Sequence, residues 1–212
     1  MRNADGLFSV IGHFGRRLIK TVKHKNTLTS QANVEERRDR KTREGANMML
    51  EYPFYRQSTD YTCGPTCLKM VFKKHAIKKG ELTLARNART EVQWGTQHSG
   101  MISTALKHGF FCFVRWNGKV ADLREFVRKG YAVIIDWTEP RGKEGHYSLL
   151  IGFNKTHVIY HDPWWGKKET MRIRTFISHW HEDGSKNHGW MMILGKHPIP
   201  THLKGKHYYP RT

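Results

Sequence analysis

What this chain has little of narrows it first. Cysteine is nearly absent: Cys63, Cys67 and Cys112 are the three in 212 residues, and an odd, small count excludes a disulfide framework as the source of stability. Long apolar runs are missing as well. No stretch approaches the roughly 18–20 residues that cross a bilayer, and the longest, around Ala132–Trp137 and Ser148–Phe153, have strand length. The mildly apolar segment Gly6–Phe14 has its charges (Arg16, Arg17, Lys20, Lys23) behind it, the reverse of a secretory signal, so a cytoplasmic protein is expected. Metal signatures are lacking too. Cys63 and Cys67 form CxxxC, not CxxC, and fourteen histidines contain no HExxH, so no metal or other cofactor is expected.

Acidic residues are scarce, 18 against 37 lysines and arginines, which leaves a net charge of +19. Residues 1–49 carry eleven basic and five acidic side chains, and the remaining +13 is spread over the rest. Such a field favours acidic partners: an acidic peptide, an anionic membrane or a nucleic acid. Charge alone does not choose among them. Nucleic-acid binding through the basic ends is the weakest of the function readings, and it predicts affinity that falls steeply with salt and ignores Cys63.

Three regions follow from composition. Residues 1–49 are polar and charge-dense without sustained periodicity, which reads as a disordered extension; within it Gly6–Lys20 has the pattern of a short basic amphipathic helix. Arg43-Glu44-Gly45 can be encoded by a purine-rich ribosome-binding stretch just ahead of Met48-Met49, so translation is expected to begin at one of those methionines. Residues 50–195 have globular patterning, and 196–212 are a basic, proline-containing tail. Gly64–His75 is predicted helical, with Cys67, Leu68, Val71 and Phe72 on one face. Leu82–Thr90, Ser99–His108 and Leu123–Arg128 are further helices. Phe110–Trp116, Tyr131–Trp137, His146–Phe153, His157–His161, Met171–Arg174 and Trp190–Leu194 read as strands. Helices come first and strands after, which implies an α+β fold.

Cys63 stands in QSTDYTCGPTC, six residues after Gln57 and directly before Gly64-Pro65. Downstream lie His146, in GHYSLLIGF, and Asp162, in VIYHDPW. These four types are what thiol catalysis needs. A cysteine at a helix N-terminus gains a stabilised anion from unpaired N–H groups and the helix dipole. A histidine beside it forms the ion pair and later protonates the leaving amine. An aspartate on the other imidazole nitrogen fixes tautomer and orientation. A glutamine amide, with the cysteine's own N–H, can receive the developing oxyanion. Each residue also has a plainer role: Cys63 a buried structural thiol, His146 a satisfied core histidine, Asp162 the start of a turn before Pro163. His161 is the rival base, although strand alternation turns it away from Asp162. Cys67 and Cys112 read as core. Trp164-Trp165 most simply cover an edge of the domain, and His179 and His181 lie in an exposed loop after a short helix.

The segments QSTDYTCGPTCLKMV, GTQHSGMISTALKHGF, LREFVRKGYAVIIDW, GHYSLLIGFNKTHVIYHDPWWG and the close HWHEDG…GWMMIL resemble, in order and spacing, the papain-like clan. Within it they are most similar to the bacteriocin-processing, double-glycine-type cysteine peptidases, cysteine peptidase family 39, and their stand-alone relatives. The resemblance covers roughly Tyr52–Gly195. It implies a papain-like fold with the cysteine on an N-terminal helical part and the histidine and aspartate on a C-terminal antiparallel sheet. It implies Cys63 as nucleophile, His146 as base, Asp162 as its orienting acid and Gln57 in the oxyanion hole, acting on a peptide or isopeptide bond through an acyl-enzyme. The best-known members are fused to an ATP-binding-cassette exporter, and this chain has no P-loop GxxxxGK[ST], so a leader ending in Gly-Gly does not follow as its substrate. The alternative is a catalytically idle module of the same fold that binds peptides or acidic polymers.

Overall fold

A computed structural model describes residues 48–181 and 188–210. The chain divides into two units, Met1–Ala46 and Asn47–Thr212, and the described residues belong to the second. The expectations for residues 1–47 fall outside them.

Three helices precede all strands but the first: α1 (Cys63–Lys74), α2 (Glu81–Asn87) and α3 (His98–Lys107). In α1 the residues Cys67, Leu68, Val71 and Phe72 form one fully buried face, the stripe that a 3.6-residue period lays against a core. Pro65 sits in its first turn, where the missing N–H has no partner to lose. The strands are β1 (Met48–Met49), β2 (Phe111–Arg115), β3 (Ala132–Thr138), β4 (Gly145–Phe153), β5 (His157–Asp162), β6 (Gly166–Arg172), β7 (Met191–Gly195) and β8 (Lys206–Tyr208). They form one antiparallel sheet in the order β6-β5-β4-β3-β7-β2-β8, with β1 against the far end of β4. Two more helices, α4 (Val120–Arg128) and α5 (Ile173–His179), complete the described residues.

Strand alternation sends successive side chains to opposite faces, and both faces are covered. Ile134, Tyr147, Leu149 and Met192 pack with the α1 and α3 residues Cys67, Leu68, Val71 and Met101. On the other face Val133, Ile135, Trp137, Leu150 and Tyr160 pack with Leu123 and Phe126 of α4 and Phe176 of α5. The class is α+β, as the element order predicts, with Cys63 on the helical part and His146 and Asp162 on the antiparallel sheet, as the resemblance to papain-like peptidases implies.

Two details differ from the sequence reading. The strand expected at Met171–Arg174 is in fact the end of β6, which stops at Arg172, and Ile173 turns into α5. The helix buries Phe176, stacked on Trp180 at 5.2 Å and 6.1 Å from the Trp137 ring. Burying that ring outweighs the strand preference of Ile173 and Thr175. Beyond residue 195 the chain also pairs into the sheet, with Lys206, His207 and Tyr208 opposite Val114, Phe113 and Cys112.

Candidate active site

The sheet carries His146 and Asp162 to the same place because β4 and β5 are antiparallel neighbours. His146 is the second residue of β4 and Asp162 the last of β5. His146 and Ser148, two apart, share a face. His146 Nε2 lies 2.9 Å from Asp162 Oδ1, and Ser148 Oγ donates to Asp162 Oδ2 at 3.1 Å. Ser148 Oγ in turn accepts from the Trp137 indole N–H at 3.1 Å. Asp162 Oδ1 also accepts the backbone N–H groups of Trp164 and Trp165, both at 2.9 Å. Asp162 therefore does start the turn before Pro163, and it binds His146 as well. Burial pushes its carboxyl upward, but the His146 bond and charge and the two N–H donors outweigh that and hold it below the ordinary carboxylate value.

Cys63 is the first residue of α1, 7% exposed. The charge of the Cys63 sulfur acts on the His146 imidazole together with that of Asp162, and with Nε2 on Asp162 the ring nitrogen left for sulfur is Nδ1. Burial works to lower the imidazole's pKa, yet the hydrogen bonds and negative charges of Asp162 and Cys63 raise it from 6.5 to about 10. At neutral pH the ring is an imidazolium between a carboxylate and a sulfur. The structure thus brings Cys63, His146 and Asp162 together.

Gln57 is buried and tied to the same corner: its backbone N–H donates to the carbonyl of Pro163, the residue after Asp162, at 2.9 Å. Its side-chain Nε2 donates to the Thr59 carbonyl at 2.7 Å, which engages one of the two amide protons. The N-cap of α1, Thr62, makes no side-chain capping bond.

A family model described as the Peptidase_C39 like family matches residues 49–188. The chain belongs to this family. The C39-like fold is shared with the peptidase domain of Streptococcus ComA, a bifunctional ABC transporter of a quorum-sensing pathway (TM-score 0.57, 22% identity, 69% of this chain and 100% of that one). It is shared too with a C39-like peptidase of Bacillus anthracis (TM-score 0.58, 17% identity, 72% and 98%). A third match is a double-glycine-motif protease from an AMS/PCAT transporter, solved with its leader peptide (TM-score 0.56, 17% identity, 69% and 92%).

In this C39-like domain His161 is no rival base. Its Nδ1 accepts from the Lys168 N–H at 3.1 Å and its Nε2 faces the Tyr52 carbonyl at 3.2 Å, so both nitrogens are used in structure, and burial lowers its pKa. Cys67 and Cys112 are buried thiols. Burial, with the charges of Cys63 and Asp162, raises the first well above its ordinary value, and burial alone pushes the second to about 12. His179 closes α5 and bonds the Thr175 carbonyl at 3.0 Å. Among the described residues no helix is long and apolar enough to cross a membrane.

Beside Cys63 a cleft of about 230 Å³ opens between the N-termini of α1 and α3 and the sheet, lined by Trp94, Thr96, His98, Asp136 and Tyr147 among others. Tyr147 Oη donates to the Thr96 carbonyl at 2.9 Å, and His98 pairs with Asp136 at 2.7 Å while stacking on Trp190. The sequence reading passed over Ser148, Trp137 and this cleft pair. Ser148 carried a signal: it is the one hydroxyl in the run SLLIGF, and a polar group inside a buried strand needs a partner.

Proposed function

We propose that this chain is a thiol-dependent peptidase that cleaves a peptide or isopeptide bond through an acyl-enzyme on Cys63. The His146–Asp162 pair, bonded at 2.9 Å and charged in concert with Cys63 at the head of α1, carries this reading. Thiolate sulfur attacks the scissile carbonyl, a C–S bond forms, and the carbonyl electrons move to oxygen. Gln57 Nε2 and the Cys63 N–H receive that oxyanion. The imidazolium delivers its proton to the leaving nitrogen as the C–N bond breaks, leaving a thioester and a neutral His146. Water then attacks the thioester, His146 takes its proton, and the C–S bond breaks to restore thiolate and imidazolium. Asp162 holds the ring so that Nδ1 faces sulfur throughout. The fold's double-glycine protease relative binds a leader peptide, which supports a peptide as the substrate here; an acidic one suits the charge of the chain.

The decisive measurement is the rate of iodoacetamide alkylation against pH, read separately for each cysteine by peptide mass spectrometry. Cys63 is expected to react much faster than Cys67 and Cys112 and to slow sharply in His146→Ala, while Cys67 and Cys112 stay unmodified in the folded protein. Cys63→Ala should abolish turnover of a peptide library with the fold intact. A Cys63 no faster than Cys112, or turnover surviving in Cys63→Ala, would sink the assignment.

A further inference from the structure

Glu81 opens α2 and is 7% exposed. One of its oxygens, Oε1, accepts three hydrogen bonds: from the Ser58 N–H at 2.8 Å, from Ser58 Oγ at 2.7 Å and from Thr62 Oγ1 at 2.6 Å. Those donors are the residue directly after Gln57 and the residue directly before Cys63. The loop between them is bonded to itself as well. Thr59 and Thr62 hydroxyls lie 2.8 Å apart; since the single Thr62 proton goes to Glu81, Thr59 is the donor. Gln57 Nε2 closes the path on the Thr59 carbonyl. A continuous run of hydrogen bonds therefore leads from the Gln57 amide to the Glu81 carboxylate and back to the threonine that precedes Cys63.

The arrangement has a consequence for α1. Threonine at an N-cap ordinarily turns its hydroxyl onto the first free N–H groups of the helix. Here Glu81 takes that hydroxyl instead, and Thr62 makes no side-chain capping bond. Charge-assisted bonds are shorter and stiffer than neutral ones, and three of them converge on one atom. We propose that Glu81 is a positioning residue that sets the spacing between the two oxyanion donors, the Gln57 amide and the Cys63 N–H. The inference rests on the peptidase reading above. Glu81 touches no reacting atom; it acts by holding both ends of the loop that carries those donors.

Two probes separate this role from general support of the fold. Acylation of Cys63 by p-nitrophenyl acetate passes through a tetrahedral oxyanion, whereas iodoacetamide alkylation displaces iodide at a saturated carbon and forms none. Glu81→Ala should slow acylation by about 10²-fold while alkylation of the same thiol changes by less than about threefold. Glu81→Gln, which keeps an acceptor oxygen of the same reach, should recover most of the loss. In a Gln57→Ala background Glu81→Ala should add little, because the two changes remove one interaction. Should Glu81→Ala fail to fold, Ser58→Ala, which removes one of the three donors to Oε1, carries the same comparison, slowing acylation more than alkylation. Equal slowing with both probes, unchanged acylation, or full additivity with Gln57→Ala overturns the inference alone. A wild-type Cys63 no more reactive than Cys112 with either probe overturns the peptidase reading and this inference with it.

Discussion

Burial alone would keep the His146 imidazole neutral; the Asp162 carboxylate and the Cys63 sulfur reverse that and raise its pKa to about 10. The proposed peptidase activity should therefore show an alkaline limb set by loss of the His146 proton, expected near that value. Asp162→Asn removes a negative charge from Nε2, so the limb should move to lower pH and the rate should fall, though less than in Cys63→Ala or His146→Ala. A limb that stays in place, or a loss as large as theirs, would make Asp162 a structural residue only. The same shifts are linked to stability. His146 binds its proton more tightly when folded, so its contribution is complete below its unfolded value of about 6.5 and is lost as pH rises toward 10. Asp162 works in the opposite sense: its contribution is present above its ordinary value and is lost as acid drives the pH through its lowered folded value. In Cys63→Ala, where only the Asp162–His146 pair remains, urea unfolding should show stability declining from pH 6.5 upward. Adding Asp162→Asn should flatten that decline.

The elements that carry the site are held by close backbone approach. A Cβ at Gly100, early in α3, would lie 2.1 Å from the Ala88 carbonyl oxygen, a backbone atom with no rotamer to escape into. Overpacking typically costs about 1–3 kcal/mol, and the helix-propensity gain of up to about 1 kcal/mol for Gly→Ala only partly offsets it. Gly100→Ala should therefore lose about 2 kcal/mol in urea unfolding and displace α3, which carries His98 in the cleft. Gly145, beside His146, meets nothing within 4 Å, and Gly145→Ala should stay within about 0.5 kcal/mol of wild type. A reversed ranking would mean that the α3 contact with Ala88 is not what sets the cost.

Legibility in the sequence follows the same physics. His146 and Asp162 were readable because each stands at the end of a strand whose apolar run is plain, and chain order then brings the two ends together. Cys63 was readable from Gly64-Pro65 and a helical stripe behind it. The β6–α5 switch was not, since Ile173 and Thr175 have strand preferences and only the burial of Phe176 decides otherwise. Glu81 follows a lysine-rich stretch and has the look of a solvated first-turn carboxylate. What buries it is a loop nineteen to twenty-three residues earlier, a contact that no local pattern records.

At the scale of the whole molecule the question is what a charge of +19 does for the proposed peptidase. Part of the excess is gathered close to the helix that Cys63 opens: Lys69, Lys73, Lys78 and Lys79 line a cavity of about 290 Å³, with Lys69 Nζ 4.3 Å from the Tyr55 ring centre. Lys73 is ten residues along α1 from Cys63, roughly 15 Å at the rise of a helix, a span that about five extended residues of substrate cover. An acidic flank at that distance from the scissile bond would meet the lysines while the carbonyl sits at sulfur. Such attraction acts on capture and leaves chemistry alone, and it is screened when the Debye length falls from about 10 Å at 0.1 M salt to about 3 Å at 1 M. For peptides with an acidic flank, kcat/KM should drop by about tenfold across that range with kcat unchanged. A peptide with a neutral flank should change little. Lys73→Glu combined with Lys78→Glu should abolish the difference between the two. If both peptides respond equally to salt, the charge is a property of the surface at large and the lysine cavity takes no part in selecting the substrate.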